Sequence, residues 1–152
     1  MMLNFRAVCR YWRTVPLLIV ASAAVAQDAA LCFPKARTSN VCEKARELHR
    51  ALAPLLPIKV SANATMSAAI VAGPRVIIVG SWNMTKSQLD QSLRARNLSP
   101  SQFQDRMQQQ TQNAICSMKI IPAFVRLGGQ VEYIYKTTDG YVFASPTVTF
   151  CQ

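Results

Sequence analysis

The first clear periodicity in the sequence places apolar residues at helical spacing. It predicts a helix over about 41–53, with Asn40 as N-cap and Glu43 three residues later as the second half of a capping box. Pro54 cannot continue a helix and is expected to end it. The apolar face of this helix is formed by Val41, Ala45, Leu48 and Leu52.

From residue 58 the apolar residues instead alternate with polar ones, which is typical of a half-buried strand. The alternation predicts one strand over 58–70, a turn at 72–75 around Gly73-Pro74, and a second strand over 76–84. Two adjacent strands joined by a tight turn are expected to pair as an antiparallel hairpin.

A polar and basic stretch at 85–98 is interpreted as a linker in which Leu89 and Leu93 could nucleate a short helix. A stronger helix signal follows, because Ser99 suits the N-cap, Pro100 the first helical position and Gln102 the capping box. The apolar stripe of this helix is Phe103, Met107, Ala114, Ile115 and Met118, and the glutamines at 108–110 are its solvated side. Pro122 interrupts the helix, and a further short turn is predicted to end at Gly128-Gly129.

The C-terminal residues predict a second hairpin. Residues 131–136 alternate, Asp139-Gly140 is a strong turn dipeptide, and 141–144 resume the strand. Pro146 indicates a sheet edge or a bulge. The predicted fold class is therefore α+β: an antiparallel four-stranded sheet of two hairpins, in the order helix-β-β-helix-β-β, with helices packed on one face.

The first 26 residues have the pattern of an export signal. The apolar run at 15–26 ends in Ala24-Val25-Ala26, the small-x-small pattern before a cleavage site, and is shorter than the roughly 20 residues of a membrane span. The basic residues before this run are Arg6, Arg10 and Arg13. We therefore predict a cleavable signal peptide over 1–26 and a single domain over 27–152, located in the periplasm or secreted.

Charge and cysteine content change once this segment is set aside. The 152-residue chain has 17 basic and 7 acidic residues; the three arginines of the signal reduce the basic count to 14 and the net charge from +10 to +7. Loss of Cys9 leaves four cysteines: Cys32, Cys42, Cys116 and Cys151. An even number in a small exported domain predicts two disulfides. Of three pairings we favour Cys32–Cys42 and Cys116–Cys151, because each joins neighbouring elements.

Catalytic machinery is not recognisable in the sequence. His49 is the single histidine and has no evident nucleophile or orienting group, while the carboxylates are scattered. Without CxxC spacing, the cysteines give no metal site. We therefore expect a protein without enzymatic activity, cofactor or metal.

Two groups of residues are candidates for binding a partner. The aromatic group could either pair across the hairpin strands or form a protein-binding surface. The basic pair could either be solvated or attract an anionic envelope component, whereas nucleic acid is not expected outside the cell. These candidate partner-binding residues are Tyr133, Tyr135, Tyr141 and Phe143, with Arg94 and Arg96.

Several short motifs resemble those of a known group of proteins. They are Leu55-Leu56-Pro57 before the first strand, Ile115-Cys116-Ser117 late in the second helix, and the Val131–Tyr135 strand with its Asp139-Gly140 turn and closing Cys151. Over about 57–151 the chain resembles small bacterial envelope proteins, including the beta class of type II secretion pilotins. The resemblance implies a sheet flanked by helices and locked by one disulfide. Pilotins of that class are lipoproteins, whereas here Cys9 lies too early and Cys32 too late for lipid attachment.

The sequence favours a pilotin-like accessory protein of a secretion or pilus apparatus. Such a protein would capture a short partner segment in an apolar groove between helix and sheet, or along a sheet edge. The alternatives are a secreted inhibitor or effector that acts through a disulfide-held loop, with 85–98 as the candidate loop, and a small hydrolase. The partner and the oligomeric state are left open.

Overall fold

The computed structural model describes residues 31–34 and 39–151, so the predicted signal peptide lies outside the described residues. The helices are α1 Val41–Leu52, α2 Lys86–Ala95, α3 Pro100–Ser117 and α4 Ile121–Arg126, with a short 3₁₀ helix at Ala53–Leu55. The strands are β1 Ile58–Ser61, β2 Ala64–Ala72, β3 Arg75–Trp82, β4 Gln130–Thr137, β5 Val142–Ala144 and β6 Thr147–Val148.

All six strands form one sheet in the order β1-β2-β3-β4-β5, and β6 also pairs with β4. The α+β class is confirmed, and both predicted hairpins are present, as the antiparallel pairs β2–β3 and β4–β5. The prediction of a four-stranded, wholly antiparallel sheet is wrong. β3 and β4 are parallel, from Arg75 opposite Gln130 to Trp82 opposite Thr137. The reason is the long connection with its three helices, which returns the chain to the end of the sheet where β3 began.

The predicted strand over 58–70 is in fact two strands, β1 and β2. The chain reverses after Ser61, and Ser61 pairs with Ala64. A second irregularity between Met66 and Ala68 shifts the register of β2 against β3. Small residues suit both the turn and the bulge. Because the alternation of apolar and polar residues continues through the turn, it does not show that the chain changes direction there.

The helices lie on one face of the sheet. Along β4 the burial alternates strictly, with Val131, Tyr133 and Tyr135 buried on the helix side and Glu132 and Ile134 half-buried on the other. Buried helix residues such as Val41, Leu89, Ile115 and Phe124 belong to the same core cluster as these strand residues. The core therefore lies between one sheet face and a layer of helices.

Residues 86–95 form a true helix rather than a linker. Thr85 and Gln88 cap its N-terminus reciprocally, and both Leu89 and Leu93 are buried. The capping box predicted at Ser99 and Gln102 is present as well. At α1 only the N-cap half of the predicted box is present, because Asn40 accepts from the backbone N–H of Glu43 while the Glu43 carboxylate accepts from Arg46 and Arg50. The capping box of Thr85 and Gln88 explains why residues 86–95 are helical although they lack a long apolar stripe.

Both disulfides join the pairs favoured from the sequence. Cys32 is bonded to Cys42 in the first turn of α1, and Cys116 near the end of α3 is bonded to Cys151. Pro146 lies between β5 and β6, so two short strands pair with the outer side of β4. This agrees with the sheet edge that Pro146 indicated in the sequence. Within residues 31–34 and 39–151, no helix is both long and apolar enough to cross a membrane.

Candidate binding groove

An apolar groove of about 300 Å³ lies on the helix-bearing face of the sheet. Its floor is formed by the sheet, one wall by α3, and one end by the last turn of α1 and the residues that follow it. The lining residues are Leu52, Leu56, Ile58, Val60, Met66, Ala69, Ile78, Thr111, Ala114, Ile115, Met118, Ile121, Tyr133 and Tyr135. Thr111 and the two tyrosines supply the only side-chain polar atoms of this lining.

The groove exists because the helix layer does not extend over the first strand. α1 contacts β2 and β3, whereas α3 contacts β5 and β6. All four residues of β1 are exposed, including Ile58 and Val60 on the groove side. An edge strand with outward apolar side chains and no covering element is the usual location of a binding site for another chain.

The floor of the groove is set by two tyrosines of β4. The rings of Tyr133 and Tyr135 stack with centroids 5.6 Å apart. The Tyr135 hydroxyl lies 3.5 Å from Thr111 Oγ1 on α3, which ties the floor to the wall. Burial raises the pKa of Tyr133 to about 12 and also raises the pKa of Tyr135, because the apolar surroundings disfavour the charged phenolate.

Gly80 on β3 leaves room for the floor to be flat. A Cβ on this residue would lie 3.0 Å from Tyr135 Cδ1 and 3.2 Å from Met66 Sδ. The absence of a side chain therefore allows the Tyr135 ring to lie across β3 rather than to project into the groove.

Exposed apolar side chains adjoin the lining residues Leu56 and Ile121 in the sequence. Leu55 is 61% exposed and Ile120 is 73% exposed. Met118, which lines the groove, is 44% exposed. These residues extend the apolar surface beyond the cavity, as is typical of a protein-binding site.

A second cavity of about 360 Å³ continues the groove along α3 in the opposite direction. Val60, Met66 and Tyr135 line both cavities. The remaining lining residues of the second cavity are Ala64, Trp82, Arg96, Leu98, Phe103, Arg106, Met107 and Gln110. Along α3 the combined groove runs from Phe103 to Met118, which corresponds to about 22 Å of helix.

The structure separates the predicted aromatic site into three environments. Tyr133 and Tyr135 lie in the groove, whereas Phe143 is 4% exposed and packs in the core against Trp82 and Tyr135. Tyr141 is exposed and lies beneath the ammonium group of Lys86, 5.0 Å from the ring centroid. Phe143 is therefore a core residue, and only two of the four aromatics line the groove.

The predicted basic pair is also separated. Arg96 lines the second cavity, whereas Arg94 is exposed on α2 and lies outside both cavities. Arg106 lines the cavity with Arg96, and it was not singled out in the sequence. Its position three residues after Phe103 places it beside the apolar stripe of α3, and this spacing could have revealed it.

His49 does not line either cavity. Its Nε2 atom lies 3.1 Å from the carbonyl oxygen of Ala69, so the ring links α1 to β2. No carboxylate lines either cavity among the residues that the structure describes. The groove can thus bind apolar groups and, at its basic end, anions.

Comparison with known proteins finds a similar fold in solved structures. At the level of sequence, no protein-family model and no curated relative matches the chain. Solved structures do match. The type II secretion system pilotin AspS from Vibrio cholerae aligns with a TM-score of 0.54 and 19% identity, over 84% of this chain and 96% of the pilotin.

Two further structures have the same fold. The pilotin EpsS from the Vibrio vulnificus type 2 secretion system aligns with a TM-score of 0.57 and 16% identity, over 74% of this chain and 92% of its own. A Pseudomonas aeruginosa protein described as secreted aligns with a TM-score of 0.57 and 12% identity, over 71% of this chain and 88% of its own. The resemblance found in the sequence therefore extends to the fold.

Proposed function

We propose that this chain is an exported accessory protein of a secretion or pilus apparatus, and that it holds an apolar segment of a protein partner in the groove. The observation that carries the proposal is the groove itself. It is open and almost wholly apolar in the cavity beside α1, and it continues along one side of α3 into the cavity that Arg96 and Arg106 line. Its lining offers contact surface but no carboxylate, histidine or cysteine, which favours binding over catalysis.

Export is supported by two independent features. The disulfides Cys32–Cys42 and Cys116–Cys151 require an oxidising compartment, which in bacteria is the periplasm or the exterior. The basic, apolar and small-residue pattern of residues 1–26 fits a signal peptide. The pilotin fold of the domain agrees with an envelope location.

The alternative of an inhibitor that acts through residues 85–98 has little structural support. This segment does not protrude as a loop, because α2 is capped at Thr85 and anchored by Leu89 and Leu93 in the core. Its N-terminus is further fixed by the backbone N–H of Lys86, which donates to the Asp139 carboxylate at 3.2 Å.

The proposal can be tested by blocking the groove. Ala114 is exposed and lines the groove, so Ala114→Trp should fill it without disturbing the core. Gln109 lies on the same helix, is exposed and lines neither cavity, so Gln109→Trp is a matched control. A tagged protein in its native host should co-purify with a component of a secretion or pilus apparatus, and only Ala114→Trp should lose it.

Two results would overturn the proposal. The first is equal recovery of the same component with both tryptophan variants, since the groove would then not be the binding site. The second is a partner that belongs to neither kind of apparatus.

A further inference from the structure

The sheet face opposite the helices carries a strip of branched apolar side chains. The four described helices bury their apolar residues against the other face of the sheet, so none of them covers this strip. The strip runs across three neighbouring strands, because the register places its members beside one another. At its margin Ile70 is 51% exposed. The members of the strip are Ile70 on β2, Ile77 and Val79 on β3, and Ile134 on β4.

Two charged side chains of β4 lie on this face, on either side of Ile134. Glu132 precedes Ile134 and Lys136 follows it, at the spacing of two residues that keeps side chains on one face. Arg75 donates to Glu132 Oε2 at 3.0 Å, and the Glu132 side chain is 16% exposed. Within residues 39–151, Glu132 Oε1 accepts no hydrogen bond and Lys136 forms no ion pair. The strand therefore offers a free acceptor at one end and a free cation at the other.

This order of charges is complementary to itself. A two-fold axis that crosses the strands at Ile134 places β4 over β4 of a second copy and reverses its direction. Ile134 then faces its own equivalent, and so does Val79, which lies beside Ile134 in the β3–β4 register. Side chains two residues apart are separated by about 7 Å along a strand, so Glu132 of each copy faces Lys136 of the other. The two-fold contact thus brings the free acceptor and the free cation together twice.

The area of this face suits a weak dimer. β2, β3 and β4, with the short β5 and β6 beside them, span about 19 Å by about 26 Å, or about 500 Å² in each copy. Two copies would bury about 1,000 Å² in total, which is the lower limit for a specific interface. Isoleucine and valine side chains also suit the spacing of about 10 Å at which two sheets pack face to face.

We infer that two copies of this chain pack face to face through this sheet surface, with Ile134 on the two-fold axis and Glu132 paired with Lys136 of the second copy. The inference goes beyond the proposed function and does not depend on it, since the groove lies on the opposite face and stays open in the dimer. A dimer of this kind carries two grooves on its outer sides, so it can hold two partner segments at once.

Sedimentation equilibrium of the oxidised protein tests the dimer. Over loading concentrations of about 5–500 µM we expect a monomer–dimer equilibrium with a Kd on the order of 10–100 µM, as suits an interface at the lower limit of size. Ile134→Arg places two like charges on the axis and should raise the Kd at least about tenfold. Ile120→Arg is the matched control, because Ile120 is 73% exposed and lies outside the sheet, and it should leave the Kd unchanged.

Charge exchange tests the pairing itself. Lys136→Glu and Glu132→Lys each bring like charges together and should each weaken the dimer, whereas a mixture of the two variants should form heterodimers in which both facing pairs are opposite in charge. The gain on mixing should shrink at high salt. Glu132→Lys also loses the bond from Arg75, so circular dichroism must show that it folds. Lys136→Glu breaks no ion pair within residues 39–151 and is informative alone, with the exposed Lys119→Glu as its control.

Three results would overturn the inference. The first is a protein that remains monomeric at every concentration. The second is a dimer that Ile134→Arg leaves intact, or one that Ala114→Trp or Ile120→Arg abolishes, since the contact would then lie on the groove side. The third is a monomer that binds phosphatidylglycerol vesicles through Ile134, which would assign the strip to a membrane. None of these results bears on the recovery of a partner through the groove, which tests the proposed function separately.

Discussion

The Tyr135 ring lies directly against the backbone of Gly80, and a Cβ on Gly80 would come within 3.0 Å of Tyr135 Cδ1. The two residues lie opposite each other in the neighbouring parallel strands β3 and β4. The depth of the groove therefore depends on a residue that contributes no side chain to it.

Gly80→Ala should raise the floor of the groove. The new methyl group forces the Tyr135 ring outward at a cost of about 1–3 kcal/mol, partly offset by about 0.4–1 kcal/mol from the less flexible unfolded chain. We expect a net loss of about 1 kcal/mol in the free energy of unfolding, measured with urea, together with weaker recovery of the partner. In a Tyr135→Leu background the same substitution should cost less, because only the 3.2 Å contact with Met66 Sδ would remain. An equal loss in both backgrounds would contradict the contact.

The buried tyrosines predict a loss of stability at alkaline pH. The folded-state pKa of Tyr133 is raised from 10.0 to about 12, so its contribution is present below pH 10 and lost as the pH rises through 12. The free energy of unfolding should fall by about 2 kcal/mol between these values on account of Tyr133. Tyr133→Phe should remove this part of the pH dependence in urea titrations. An unchanged slope in the variant would show that Tyr133 ionises normally.

The Cys116–Cys151 disulfide should be a major source of stability. It fixes the end of α3 to the C-terminal segment across a sequence separation of 35. Closing a loop of this length stabilises the fold by about 4 kcal/mol in the chain-entropy model. Cys116→Ala/Cys151→Ala should therefore lower the free energy of unfolding by about this amount in denaturant titrations. A loss below about 1 kcal/mol would mean that the loop is already ordered in the unfolded state.

The N-cap of α2 provides a test of the helix that replaced the predicted linker. The Thr85 hydroxyl accepts from the backbone N–H of Gln88 at 3.3 Å. Thr85→Ala should lower the free energy of unfolding by about 1 kcal/mol. Ser87→Ala, an exposed substitution within the first turn, should change it by less than about 0.5 kcal/mol. Equal effects of both substitutions would contradict the cap.

Local signals in the sequence were sufficient for most of the helices. Ser99, Pro100 and Gln102 specify the start of α3 through their own side chains, and Asn40 does the same for α1. These contacts span three residues, so they can be seen without knowledge of the fold. The cysteine pairs were likewise favoured because each joins neighbouring elements.

The sheet and the groove depend on contacts that are distant in the sequence. The parallel pairing of Arg75 with Gln130 depends on how the intervening helices pack, and no local pattern encodes it. Met118 belongs to the predicted apolar stripe of α3, yet it is exposed at the groove, as is Ile58 of the uncovered strand β1. An apolar residue that is left uncovered has the same periodicity as a buried one, so the binding surface could not be separated from the core in advance.

The most direct test of the central claim is photo-crosslinking from inside the groove. A photoreactive amino acid at position 114 should form a covalent adduct with an apolar segment of a secretion or pilus component in the intact envelope, and mass spectrometry should identify that segment. The same group at position 109, on the exposed side of α3, should give no such adduct. Adducts of equal yield at both positions, or none at position 114, would contradict the account.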